Sequence, residues 1–152
     1  MIHLVDDADV SSGLPLVSAS LGVFGAFEPD ELSDLLGVEG KMARRGDARP
    51  GGRIEGEDSW TFRTAEEPSF DWEGHLRRAL AATEGREEQF ARFCDDRQLE
   101  RQVALIAKMA APPPEGTADA PIGTISSDLV KRLASLGCAL DIDLYCWCSD
   151  EH

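Results

Sequence analysis

The stretch "LVSASLGVFGAF", residues 16–27, decides the fold because apolar and small polar side chains alternate along it. Its odd positions supply the apolar row: Val17, Ala19, Leu21, Val23 and Phe27. Its even positions include Ser18, Ser20 and Gly22. Successive side chains of a strand point to opposite faces of a sheet, so this pattern predicts a strand with one face in the core.

The residues after this strand predict a helix, a strand and a helix pair. "EPDELSDLLGVEG" has Pro29 suited to a first helical turn and Gly37 as a stop, which predicts a short helix. Residues 40–58 are rich in Gly and Arg without an apolar period and predict a long loop. "SWTFR" predicts a second strand, and residues 68–96 predict two helices that meet near Gly85.

The second half of the chain predicts a strand, a helix and a final strand. Residues 103–107 are continuously apolar, which is typical of a central strand. "APPPEGTADAP" serves as a connection, and a helix begins at Ser126 or Ser127 and ends at Gly137. The order β-α-β-αα-β-α-β predicts an α+β fold with a four-stranded mixed sheet, helices mainly on one face, in a ferredoxin-like variant.

Length and charge limit the classes of function. The 152 residues predict a single domain, 1–152, with residues 1–13 as a frayed N-terminal arm. Acidic residues number 29 against 15 basic ones, a formal charge of -14 that repels nucleic acid and anionic lipid. We therefore expect no nucleic-acid partner and no membrane. The same charge is able to steer the chain toward a basic protein, although many acidic proteins are acidic without such a partner, and the oligomeric state stays open.

The first residues, "MIHLVDDADVSSG", lack a basic start followed by an apolar run, so we expect a cytoplasmic protein with reduced thiols. The last strand contains Cys146 and Cys148 on one face. Two thiols do not make a structural zinc site, which needs four ligands, and no metal is predicted. A site at Cys146, Cys148 and His152 is kept only as a third hypothesis, after the two set out below.

The two faces of the final strand differ in composition. Its even positions continue an apolar row that is predicted to face the core: Leu140, Ile142, Leu144, Cys146 and Cys148. The predicted outward row combines acids with aromatics, as partner-binding patches do: Asp141, Asp143, Tyr145 and Trp147. The alternative is that another segment covers this face, so that Tyr145 and Trp147 are ordinary packing.

An arginine cluster in the 40–58 loop provides an alternative site. Guanidinium groups among glycines are able to bind phosphate or carboxylate. The candidate anion-binding residues are Arg44, Arg45, Arg49 and Arg53, with Trp60 at the base of the loop. The competing interpretation is that these arginines pair with acids of the same chain.

Three stretches together resemble a bacterial family described as a domain of unknown function, DUF4279. They are "LGVFGAFEPDELSDLLGV", "RRGDARPGGR" leading into "SWTF", and "LVKRLASLGCALDIDLYCW". The resemblance runs from about Leu16 to Trp147 and departs from the family pattern at the two cysteines and the Pro-rich connection. It implies no catalytic residues and no cofactor.

The sequence thus favours a small acidic cytoplasmic binding protein without catalysis, of an immunity or regulatory type, that binds a basic protein. The alternative is a protein or enzyme that binds an anionic small molecule through the arginines of residues 41–53. We therefore expect no catalytic residues. The anion-binding alternative leaves enzymatic activity open.

Overall fold

The computed structural model describes residues 14–111 and 124–148 of the chain. The predicted arm, residues 1–13, lies outside them, as does most of the Pro-rich connection. The described elements, in chain order, are β1 (Leu16–Gly25), α1 (Pro29–Leu36), β2 (Lys41–Ala43), β3 (Asp58–Arg63), β4 (Glu67–Pro68), α2 (Trp72–Leu80), a 3-10 turn (Ala81–Thr83), α3 (Glu87–Asp96), β5 (Glu100–Ala111), α4 (Ser127–Leu136) and β6 (Ala139–Cys148).

The strand β1 lies in the middle of the sheet. It pairs antiparallel with β3 on one side and with β5 on the other, and β4 pairs with its first residues. The predicted apolar row is confirmed for its four positions from Val17 to Val23, which are fully buried, whereas Phe27 lies beyond β1 and is partly buried. Burial of this row fixes the register, because a slip of one residue turns the whole row to the other face.

The α+β class and the mixed sheet are confirmed, but the four-stranded ferredoxin-like variant is wrong. Within the described residues the sheet has six strands in the order β2-β3-β1-β5-β6, with β4 beside β1. All pairs are antiparallel except β5 with β6. The two additional strands, β2 and β4, span three and two residues. Such short strands are held by backbone hydrogen bonds to their neighbours and leave no apolar period in the sequence.

Local signals place the helices where the sequence predicts them. Pro29 opens α1, and Gly37 ends it in the left-handed conformation, with φ of 66°. Ser126 caps α4 by accepting a hydrogen bond from the N–H of Leu129, and Gly137 ends that helix. The predicted helix pair is present as α2 and α3, with Gly85 between them.

The helices and one face of the sheet share a hydrophobic core. The helices contribute Leu32, Leu76, Leu80, Phe90, Leu129 and Leu133 to it. The sheet contributes the odd positions from Val17 to Val23 of β1 and from Val103 to Ala107 of β5, together with Trp60 of β3. No helix of the described residues has the length and apolar character needed to cross a membrane.

Trp60 is the largest fully buried side chain, and two neighbours fix its position. Its Nε1 donates a hydrogen bond to Oγ of Ser33 on α1 at 2.9 Å. Gly40 lies directly against the ring, since a Cβ added there would clash with Cε2 and Nε1 of the indole. A larger residue at position 40 therefore has to displace the edge of the buried ring that carries its hydrogen-bonded nitrogen.

We expect Gly40→Ala to destabilise the protein by about 1–3 kcal/mol, the usual cost of overpacking a core. Gly56→Ala is the matched control, because nothing lies within 4 Å of a Cβ at that position. Urea unfolding of both variants provides the measurement. Equal stability of the two variants would contradict the close approach of Gly40 to Trp60.

Candidate functional site

The strand β6 lies at one edge of the sheet and runs parallel to β5. Within the described residues its only neighbouring strand is β5, so the outer backbone N–H and C=O groups of β6 have no strand partner there. The strand is ten residues long and contains no Lys, Arg or Pro, residues that commonly protect an edge from pairing.

The apolar row of β6 does not lie in the core, so that prediction was wrong for the described side chains. Leu140, Ile142 and Leu144 are 36%, 42% and 53% exposed. They lie in register with Val103, Leu105 and Ala107 of β5, which are fully buried. Residues in register share a face, so the row of β6 does point to the helical side.

The exposure of this row follows from where the helices lie. The helix α2 packs across β1 and β5, the middle strands of the sheet. The buried side of α4 faces the common core through Leu129, Leu133 and Leu136. The edge strand therefore presents its apolar row beyond the helical layer, where water reaches it.

The other face of β6 carries the predicted partner-binding row. Asp141 and Asp143 are half-buried, and Tyr145 is 53% exposed. Oδ2 of Asp141 accepts a hydrogen bond from Nε2 of Gln102 at 2.8 Å, which fixes that carboxylate against β5. The side chain of Trp147 lies outside the described part of the structure. We call six of the described side chains of β6 the β6 edge surface: Leu140, Asp141, Ile142, Asp143, Leu144 and Tyr145.

The metal hypothesis at Cys146, Cys148 and His152 falls on side chains outside the described ones. The described region shows no group of three or more His, Cys, Asp or Glu placed to hold a metal ion. Its two cysteines are free thiols. Burial raises the pKa of Cys94 to about 12 and that of Cys138 to about 11, so both stay protonated at neutral pH.

The long loop, residues 40–58, is more ordered than the sequence predicts. It contains β2 and an isolated antiparallel bridge between Ala48 and Ile54. The carboxylate of Asp58 accepts hydrogen bonds from the backbone N–H groups of Arg45 and Phe27, which hold its pKa below its usual range. Backbone pairing and this carboxylate give the loop its shape.

Two of the four arginines in the loop pair with acids of the same chain. Arg44 contacts Glu28 at 2.7 Å and also Asp30, and the hydrogen bond from Arg44 lowers the pKa of Glu28. Arg49 contacts Glu55. Arg45 and Arg53 are exposed, and their side chains form no ion pair with any described residue.

Neither Trp60 nor the groove beside β2 supports an anion site in the loop. Trp60, predicted at the base of an anion site, lies in the core instead of facing the loop surface. A groove of about 370 Å³ borders β2, and its lining includes Asp30, Asp34 and Glu39. Carboxylates repel phosphate or carboxylate ligands.

His75 is buried on α2. The sequence did not reveal this burial, because His75 lies next to Leu76 in an amphipathic pattern. Its Nε2 lies 3.1 Å from Oε1 of Glu67 without the geometry of a hydrogen bond, and Arg78 contacts the same oxygen at 2.8 Å. Burial lowers the pKa of His75, and the charge of Arg78 lowers it further. The imidazole is thus neutral at neutral pH, and the Glu67–Arg78 pair holds β4 against α2.

A family model described as "Domain of unknown function (DUF4279)" matches residues 15–147. The match begins just before β1 and ends one residue before the end of β6, so it covers every described element except the last residue of β6. It confirms the resemblance seen in the sequence. No curated protein and no solved structure matches the chain significantly.

The exposure of the apolar row of β6 predicts that truncating it costs less stability than truncating the buried row of β5. Leu105→Ala removes a fully buried side chain and is expected to cost about 2–5 kcal/mol. Ile142→Ala, at the position paired with Leu105, removes a side chain that is already 42% exposed and is expected to cost less than about 1 kcal/mol. Chemical unfolding of both variants gives the two values, and equal losses would show that the row of β6 is covered.

Proposed function

The chain belongs to the DUF4279 family, and on that premise we propose that it is a small acidic binding protein without catalysis whose partner is a basic protein. An immunity or regulatory protein of the bacterial cytoplasm has these properties. The observation that carries the proposal is the β6 edge surface, where an apolar row, two carboxylates and an exposed tyrosine lie on a strand at the edge of the described sheet.

The composition of this surface supports binding to a protein. Exposed apolar side chains that are contiguous mark interaction sites more often than isolated ones do. Tyr145 adds an aromatic ring with a polar hydroxyl, the kind of side chain that is enriched at interfaces. Asp141 and Asp143 place negative charge on the opposite face of the same strand, where it attracts a basic partner.

The charge of the whole chain supports a basic partner. A formal charge of -14 attracts a cationic protein over a long range and accelerates the encounter. This attraction weakens with added salt, because the Debye length falls to about 8 Å near physiological ionic strength. The apolar row supplies contacts that salt does not screen.

The chemistry of the described side chains supports a function without catalysis. Cys94 and His75 are buried. Burial also keeps the thiol of Cys138 protonated by raising its pKa to about 11. Groups in such surroundings are poor nucleophiles and poor bases at neutral pH.

A capture experiment tests the proposal. The native chain and the double variant Asp141→Lys/Asp143→Lys are used as baits in a lysate of the source organism, at low and at high salt. We expect the native chain to retain a basic protein at low salt and the variant to retain about tenfold less, because two attractive charges become repulsive. Mass spectrometry identifies and quantifies the retained protein.

The matched control is Glu84→Lys/Asp96→Lys, which makes the same change of charge at exposed positions of the helical layer. This control is expected to retain the partner at more than half of the native level. Equal capture by the β6 variant and the native chain would count against the proposal. Equal loss in both variants would assign the attraction to net charge and not to β6.

The alternative, an anionic small molecule bound in the 41–53 loop, has one observation in its favour: Arg45 and Arg53 are exposed without an ion pair to a described residue. The acids along the neighbouring groove oppose it. We expect phosphate, nucleotides and organic acids at millimolar concentration to leave the melting temperature within about 1 °C of the value without ligand.

A ligand at a hundredfold excess over its Kd would add about 2.7 kcal/mol, which shifts the melting temperature of a domain of this size by several degrees. A shift of that size that disappears in Arg45→Gln/Arg53→Gln would support the alternative over the binding of a protein.

A further inference from the structure

The β6 edge surface combines two features that together specify how a partner binds. Its outer backbone groups have no strand partner among the described residues, and its side chains alternate between an apolar row and an acidic row. Building on the proposed binding function, we propose that the partner adds a strand to the outer edge of β6, and that this strand alternates apolar and basic side chains.

The alternation proposed for the partner strand follows from the geometry of a sheet. Side chains opposite each other on neighbouring strands lie on the same face, so each row of an added strand meets the matching row of β6. Leu140, Ile142 and Leu144 are exposed and meet apolar side chains of the added strand. On the other face, Asp141 and Asp143 meet Lys or Arg.

The same charges disfavour a second copy of this chain on the edge. In an antiparallel pairing centred on Ile142, each Asp141 lies opposite Asp143 of the other copy, and in one centred on Asp143 the two Asp143 carboxylates oppose each other. Like charges directly opposite destabilise a strand pair. Each copy also carries a formal charge of -14, which repels another copy at long range. A basic strand removes both penalties.

The length of the edge suits the addition of a strand. The described side chains of β6 extend from Ala139 to Tyr145, seven residues of a strand that spans ten. Backbone hydrogen bonds along such an edge supply affinity, and the alternating side chains supply specificity. The two carboxylates thus select for a basic partner and against self-association.

The test uses a synthetic peptide with blocked ends that alternates lysine and valine over about nine residues, the length of an ordinary strand. A second peptide has the same composition, but its lysines and valines are grouped in pairs. A third repeats the alternating sequence with N-methyl groups on every second residue, which blocks hydrogen bonding along one edge. Calorimetry at about 150 mM salt measures binding of each peptide to the full chain.

The alternating peptide is expected to bind about tenfold more tightly than either of the other two, because the paired sequence mismatches the faces and the methylated one cannot complete the ladder. In NMR hydrogen exchange, alternate amides of Ala139–Tyr145 that exchange rapidly in the free chain are expected to slow when the alternating peptide binds. Ile142→Lys is expected to weaken binding about tenfold, while Val130→Lys, at an exposed position of α4, leaves it unchanged.

Three results would overturn strand addition. Equal affinity for the alternating and paired peptides would show that charge alone drives binding. Full affinity of the methylated peptide without slowed β6 amides would place the contact elsewhere. Outer β6 amides that are protected before any peptide is added would show that a second copy or another segment of the chain already covers the edge.

The proposed function is judged separately, by capture with the charge-reversal variants. Loss of capture in the Asp141→Lys/Asp143→Lys chain, together with equal affinity for the three peptides, would retain a basic partner and reject the added strand. Unchanged capture in that variant would instead reject the basic partner at β6.

Discussion

The sheet depends on β1, which is hydrogen-bonded along both of its edges and has its odd-numbered row buried. Its antiparallel pairs with β3 and β5 place Trp60 and Leu105 on the same face as Leu21. The helices pack on that face, and their leucines complete a single core. Because β1 occupies the middle, the strands farthest from it form the edges, and β6 is one of them. The exposed surface of β6 is thus a consequence of where β1 lies.

The elements with local signals could be predicted from the sequence. Pro29 and Gly37 mark the ends of α1, Ser126 marks the start of α4, and the alternation in residues 16–25 marks β1. Each signal acts through contacts within a few residues, so one sequence contains it. The strands β2 and β4 lack such signals because they depend on backbone pairing with distant residues. The sequence therefore predicted four strands where the structure has six.

The exposure of β6 could not be predicted from the sequence for a different reason. The period-two pattern correctly separates Leu140, Ile142 and Leu144 from Asp141 and Asp143. It does not reveal whether a helix covers the apolar row, since this depends on the position of the strand in the sheet and on the helix over its neighbour. Trp60 was a candidate for the anion site at the base of the loop, whereas pairing of its strand with β1 opposite Val23 places it in the core.

The most direct test of this account is a measurement of solvent access to the methyl groups of Ile142 in the free chain. A soluble paramagnetic agent broadens the NMR signals of methyl groups that water reaches. The account predicts that the signals of Ile142 broaden nearly as much as those of Ile54, which is 69% exposed, while the signals of buried Leu105 stay sharp. Signals of Ile142 as sharp as those of Leu105 would contradict the open apolar row on which the proposed binding surface depends.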